Sequence, residues 1–232
     1  MSIMILKDKM YLNKAAFTLA ETLITLGIIG VVAAMTIPNL IENNYERKTI
    51  SHLKETQSIL AQAMKMAEEE YGDAEGWFDS SSYGKKESAV IIAQNLKYFL
   101  KLALDCGTSD PDGNCVPASY FLRNGSPTGI DHQGNTIYYK IKLLNGSSVW
   151  FRSGKESKRL ITFFIDTNGK KLPNQYGKDL FVFSYYENGL RPLGAPDSDS
   201  PYETNCKNKN STGYGCAYYV LTQNNMNYLR NK

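Results

Sequence analysis

The residues that could do chemistry are few and widely separated. His52 and His132 are the only histidines in 232 residues and lie far apart. That is poor material for a metal site or a histidine-based triad. No Gly-x-Ser-x-Gly, phosphate loop or metal-ligand cluster is present. The four cysteines form two close pairs, Cys106/Cys115 and Cys206/Cys216. Their spacing is too wide for the CxxC arms of a zinc site. Each pair brackets a polar, glycine-bearing loop, which suits two local disulfides and an oxidising compartment. Four cysteines nevertheless allow three connectivities.

A third group of chemical interest is Asp166-Thr167-Asn168-Gly169-Lys170-Lys171-Leu172-Pro173-Asn174-Gln175-Tyr176-Gly177-Lys178-Asp179. Asp, Asn and Gly are what a long structured turn requires. Asp166, Asn168 and Asp179 also offer hard oxygen ligands, so a structural calcium ion is the one cofactor the sequence suggests. The spacing is not that of an EF-hand loop.

The fourth is Glu21. From Phe17 to Leu40 the chain is almost wholly apolar, about what one helical crossing of a bilayer needs. Glu21 is the single charged side chain in that run. A carboxylate inside a span costs at least about 2 kcal/mol and asks for a partner, unless it snorkels to the interface. No basic side chain lies between Phe17 and Leu40. A free α-amino group on Phe17, made by cleavage after Ala16, would supply the cation. Lys7, Lys9 and Lys14 stand upstream against Asp8, whereas Arg47 and Lys48 downstream are balanced by Glu42 and Glu46. That bias places the N-terminus in the cytoplasm and the remainder outside.

The stretch Lys14-Ala15-Ala16-Phe17-Thr18-Leu19-Ala20-Glu21, with its apolar continuation, resembles the leader and N-terminal helix of type IV pilins and type II secretion pseudopilins. Phe17-Thr18-Leu19 and Glu21 match that pattern, and Pro38 stands where many pilins carry a helix-kinking proline. The residue before the cut is usually glycine, and here it is Ala16, the next smallest. The motif covers about a tenth of the chain. The resemblance implies a prepilin peptidase that cuts after Ala16 and methylates the amine of Phe17. It implies other pilin-like subunits, an inner-membrane assembly platform and the lipid bilayer as further partners. It also implies a bacterial inner-membrane subunit with an extracytoplasmic head, assembled into a filament in the periplasm or at the cell surface, and no enzyme. A rival reading takes Val32-Ala33-Ala34 as an ordinary signal-peptidase site. The product would then be a secreted or anchored extracytoplasmic binding protein or enzyme.

The elements that would position these residues follow from periodicity. Residues 1–16 form the leader, 17–72 a membrane and amphipathic helix, and 73–232 a globular head. Helical spacing at Tyr45, Thr49, Leu53, Leu60, Met64 and Ala67 carries the helix to Tyr71, with Gly72 as its stop. At roughly 1.5 Å per residue that helix would be about 80 Å long, too long to bury in one domain. Ala89–Asp105 predicts a second helix, with Val90, Ile91, Leu96, Phe99 and Leu102 inward. Strand patterns occupy Thr136–Leu144, Ser148–Arg152, Leu160–Ile165, Leu180–Tyr186 and Tyr218–Thr222, with Asn145-Gly146 and Asn188-Gly189 as hairpin turns. The fold class is α+β, pilin-like: a long helix on a mainly antiparallel sheet. A formal charge of +3, with no long basic run, gives no warrant for a nucleic-acid partner.

Overall fold

The computed structural model describes residues 18–154 and 159–230. The chain divides into two compact units, Met1–Asn44 and Tyr45–Lys232. Helix α1, Leu19–Tyr71, supplies the described residues of the first unit beyond Thr18 and opens the second. It contains an apolar stretch long enough to cross a membrane. In the first unit its large side chains are at least half exposed, including Leu19, Leu23, Leu26, Ile29, Met35 and Leu40. Pro38 lies inside the helix. It has no N–H to donate to the carbonyl four residues back.

In the second unit α1 buries Thr49, Ile50, Leu53, Thr56, Leu60, Ala63, Met64 and Ala67, steps of three and four that make one face. Gly72 ends the helix with a φ of 80°, a left-handed conformation open to glycine at no steric cost. Two single 3-10 turns follow, Ala74–Gly76 and Ser80–Ser82. The Trp77 indole N–H donates to the Gly72 carbonyl at 2.7 Å and closes the corner.

Six strands pair in sequence order, each antiparallel to the next: β1 Leu102–Gly107, β2 Tyr139–Leu143, β3 Ser148–Ser153, β4 Ile161–Asp166, β5 Leu180–Tyr186 and β6 Gly189–Pro192. Both predicted hairpins form, the first at Asn145-Gly146; the second turns at Glu187-Asn188, one residue before the expected Asn188-Gly189, because Gly189 pairs with Tyr186. Every residue of β4 is buried, as expected of a strand covered on both faces. On one face Ile141, Val149, Phe151, Phe163 and Phe181 share a core with α1 and α2 (Lys86–Leu96). On the other, Trp150, Phe164 and Val182 pack beneath the 115–138 segment, through Cys115, Val116, Tyr120 and Tyr138.

Two expected elements differ. The helix expected over Ala89–Asp105 is Lys86–Leu96, then one 3-10 turn, Lys97–Phe99. Leu102–Gly107 is the edge strand β1, because Leu102 and Asp105 find partners in Leu143 and Ile141 of β2. The buried face of α2 is accordingly Ser88, Ala89, Ile92, Ala93 and Leu96. Tyr218–Thr222, expected as a strand, lies inside helix α4, Cys216–Gln223. Its aromatic and β-branched residues favour a strand. Ala217 and Val220 instead reach the core from one helical face, and Cys216 is tied to Cys206. A single helical turn, α3, Tyr202–Asn205, immediately precedes Cys206.

The far layer contains two ionisable groups with fixed roles. Lys140 is fully buried and its ammonium donates to the carbonyls of Thr108 at 2.7 Å, Asn135 at 2.8 Å and Tyr138 at 3.3 Å. His132 packs against Tyr120 and Trp150, and burial pushes its imidazole down to about 4. Between that value and the unfolded one, near 6.5, the unfolded chain binds the proton that the fold refuses. Stability is therefore present above pH 6.5 and falls as pH drops towards 4, by roughly 3 kcal/mol. His132→Phe should flatten the slope of urea-unfolding free energy against pH across that window. Equal slopes in the two proteins would contradict the assignment.

Candidate functional site

At the start of α1 the first turn is closed by its own side chains. The Thr18 N–H donates to Glu21 Oε2 at 2.8 Å, and the Thr18 hydroxyl donates to the same oxygen at 2.9 Å. The Glu21 N–H donates to Thr18 Oγ1 at 3.2 Å. This reciprocal arrangement is a capping box, which satisfies two of the orphan donors at a helix start. Its signal, Thr-x-x-Glu ahead of an apolar run, was present in the sequence beside the charge anomaly. Glu21 thus has a local role independent of any second chain. Ala16 and Phe17 lie outside the described residues.

The Asp166–Asp179 segment folds into a knot at the end of β4. Both carboxylates are fully buried. Asp166 accepts the Tyr120 hydroxyl at 2.7 Å and the Asn168 N–H at 3.1 Å. Asp179 accepts the N–H groups of Gln175 at 2.7 Å and Asn174 at 2.8 Å, and the Asn168 amide at 3.2 Å. Burial raises the pKa of both acids, and Asp179 raises that of Asp166 further. Asn168 and Asn174 each keep a buried side-chain oxygen without a hydrogen-bond partner. The pKa of the nearby Tyr45 hydroxyl is raised by burial first and then by Asp179, against a hydrogen bond with the Thr49 side chain. The structure brings Asp166, Asn168 and Asp179 together and adds Asn174 and Tyr45, which sequence reasoning did not single out. Pro-Asn looked like turn punctuation, and Tyr45 lies more than a hundred residues away.

Two disulfides are formed, Cys106–Cys115 and Cys206–Cys216, with Cα–Cα distances of 6.2 and 5.0 Å. Asp110 stands close to the first pair. Its carboxylate accepts the N–H groups of Asn114, Cys115 and Val116, and both sulfurs are spent in the bond. In the second loop Lys207–Asn210 are exposed, whereas Ser211, Gly213 and Gly215 are buried. The loop is therefore less open than its polarity implies. Arg123 explains why. Its guanidinium donates to the carbonyls of Cys206 and Tyr228 and lies 5.0 Å from the Tyr228 ring. The C-terminal segment continues onto α1, where Glu46 accepts the Met226 N–H at 2.7 Å and Arg230 at 2.8 Å.

Residues 39–229 match the family described as "Family of unknown function (DUF6613)". No curated protein and no solved structure matches the chain. The match begins one residue after Pro38, so it takes in all but the last three residues of the second unit and only the end of the apolar stretch.

Closing the loop between Cys206 and Cys216 restricts the unfolded chain by about 3 kcal/mol in the chain-entropy account. A Cys206→Ala/Cys216→Ala double variant should lose about that much stability in urea unfolding of the detergent-solubilised protein. Unchanged stability would show that Arg123 and the α4 contacts fix the segment unaided.

Proposed function

We propose that the chain, which belongs to this family of unknown function, is a structural subunit of a filament of the type II secretion pseudopilus or type IV pilus class, and no enzyme. One observation carries the reading. The first unit displays a contiguous apolar helical surface, Leu19 to Ile41, that no described residue covers, with Glu21 as its single charge. Such a surface is stable in lipid or against other copies of itself. The sequence around Ala16-Phe17-Thr18-Leu19 supplies the processing signal that the resemblance implies. The two disulfides agree with an extracytoplasmic head.

On this reading the subunit is stored in the bacterial inner membrane and then drawn into a filament by an assembly platform. The apolar surface moves from lipid to the filament core, so little hydrophobic free energy is lost in transfer. Glu21 sets the register. In the single chain its carboxylate closes the Thr18 cap. A carboxylate accepts several donors, so it can hold that cap and also take the α-amine of Phe17 from a neighbour. The contact is head-to-tail and does not close, which gives a helix of subunits.

The processing step is read directly by intact-mass analysis and N-terminal sequencing of membrane-extracted protein. The expected chain begins at Phe17 and is one methyl group heavier than its sequence. A chain beginning at Met35, or one retaining residues 1–16, overturns the proposal.

A further inference from the structure

We propose that the tip of the connection between β4 and β5, Lys170-Lys171-Leu172, docks on an anionic phospholipid surface, with the lysines at lipid phosphates and Leu172 in the acyl boundary. The inference rests on the reading above that the apolar stretch of α1 lies in a membrane.

The composition of the tip comes first. Leu172 is 79 % exposed, more than any other large aliphatic side chain among the described residues of the second unit. Lys170 and Lys171 beside it are exposed, and Lys178 is half-buried. No acid stands between Thr167 and Lys178. The acids that bound the connection, Asp166 and Asp179, are both buried. Its outward charge is therefore wholly positive, and a leucine stands at its centre. A solvated turn needs no leucine there. A lipid interface uses both, since apolar area enters the acyl boundary while cations meet the phosphates.

The tip is also held in place. Asp166 accepts the N–H groups of Asn168 and Gly169, and Asp179 those of Asn174 and Gln175. The Thr167 N–H donates to the Asp179 carbonyl at 2.9 Å, and the Asn168 amide reaches the Leu172 carbonyl. These bonds fix the backbone on the inner side and leave the three tip side chains outward.

Its place on α1 selects lipid over a second copy. The His52 ring donates to the Thr167 carbonyl at 3.2 Å, and the charge of Asp179 acts on the Tyr45 hydroxyl. Tyr45 opens the second unit and stands four residues after Ile41. Chain continuity thus keeps this part of the second unit near the medium that holds the apolar stretch. Arg47 and Lys48 are exposed here, Glu46 is occupied by Arg230 and the Met226 N–H, and Glu55 is the first exposed acid of α1 in the unit. Towards its other end α1 and the following turn expose Glu69, Glu70, Asp73 and Glu75. The basic part is the one next to the apolar stretch, the order that an anionic surface favours.

The test uses the full chain reconstituted into phosphatidylcholine vesicles with or without phosphatidylglycerol. A bimane label is placed on Leu172→Cys, or on Glu70→Cys as the control, with the native disulfides left oxidised. Quenching by a nitroxide carried on the lipid chain is then read. The Leu172 label should be quenched well above the control when phosphatidylglycerol is present, and less in its absence or at high salt. Adding Lys170→Gln/Lys171→Gln, two exposed changes that leave the fold intact, should weaken docking about thirtyfold and bring quenching down to the control. A chain that alkali strips from the vesicles contradicts the membrane reading itself, and this proposal with it. A chain that stays embedded while its Leu172 label is quenched no more than the control overturns this proposal alone. So does quenching that ignores phosphatidylglycerol and both lysines, or shielding of the label that rises only with protein density, which would assign the tip to a second copy.

Discussion

Everything distinctive about this chain follows from apolar surface that its own fold leaves uncovered. About a dozen large side chains of α1 between Leu19 and Ile41 stand at least half exposed. At roughly 1.5–3 kcal/mol for each side chain fully buried, leaving them in water forgoes on the order of 20 kcal/mol. That exceeds the whole stability of an ordinary domain. The segment is long and apolar enough to cross a membrane, and on the proposed reading it lies in lipid or among like helices. The second unit needs no help of this kind, because its sheet is covered on both faces.

Coverage of the far face explains the unusual interior of the second unit. A layer made of loop, residues 108–138, brings backbone polar groups into the core, and each needs a partner. Lys140 gathers three of its carbonyls, Asp110 gathers three N–H groups, and Tyr120 reaches across to Asp166. Arg123 does the same for the C-terminal segment. These buried charges act as pins that fix irregular chain where no ladder of strand bonds could. Removing one partner of such a pin leaves the other uncompensated, which costs more than the contact contributes.

Much of this was legible in the sequence. The long helix, its stop at Gly72, two hairpins and the central strand all follow from periodicity and turn chemistry, which act locally. Leu102–Gly107 and Tyr218–Thr222 were misread because their outcome is decided at long range. The first segment takes the sheet edge beside β2, and the second is pulled into a helix by packing of Ala217 and Val220. The knot was half visible. Asp166, Asn168 and Asp179 declared themselves by type, whereas Asn174 and Tyr45 entered only through the fold. At Glu21 the charge anomaly hid a simpler local pattern, the cap with Thr18.

That cap makes the central claim testable in a way a simple truncation would not. Glutamine can close a capping box as glutamate does, yet it carries no charge. Glu21→Gln therefore preserves the first turn of α1 and removes only the partner for a neighbour's amine. The decisive measurement is the yield of sheared filaments from cells carrying Glu21→Gln, with the membrane level of the subunit as reference. The account predicts normal membrane levels and a loss of filaments, because each added subunit would bury an unpaired amine at a cost of about 3–5 kcal/mol. Normal filament yield from Glu21→Gln would contradict it, and would leave Glu21 as a helix cap alone.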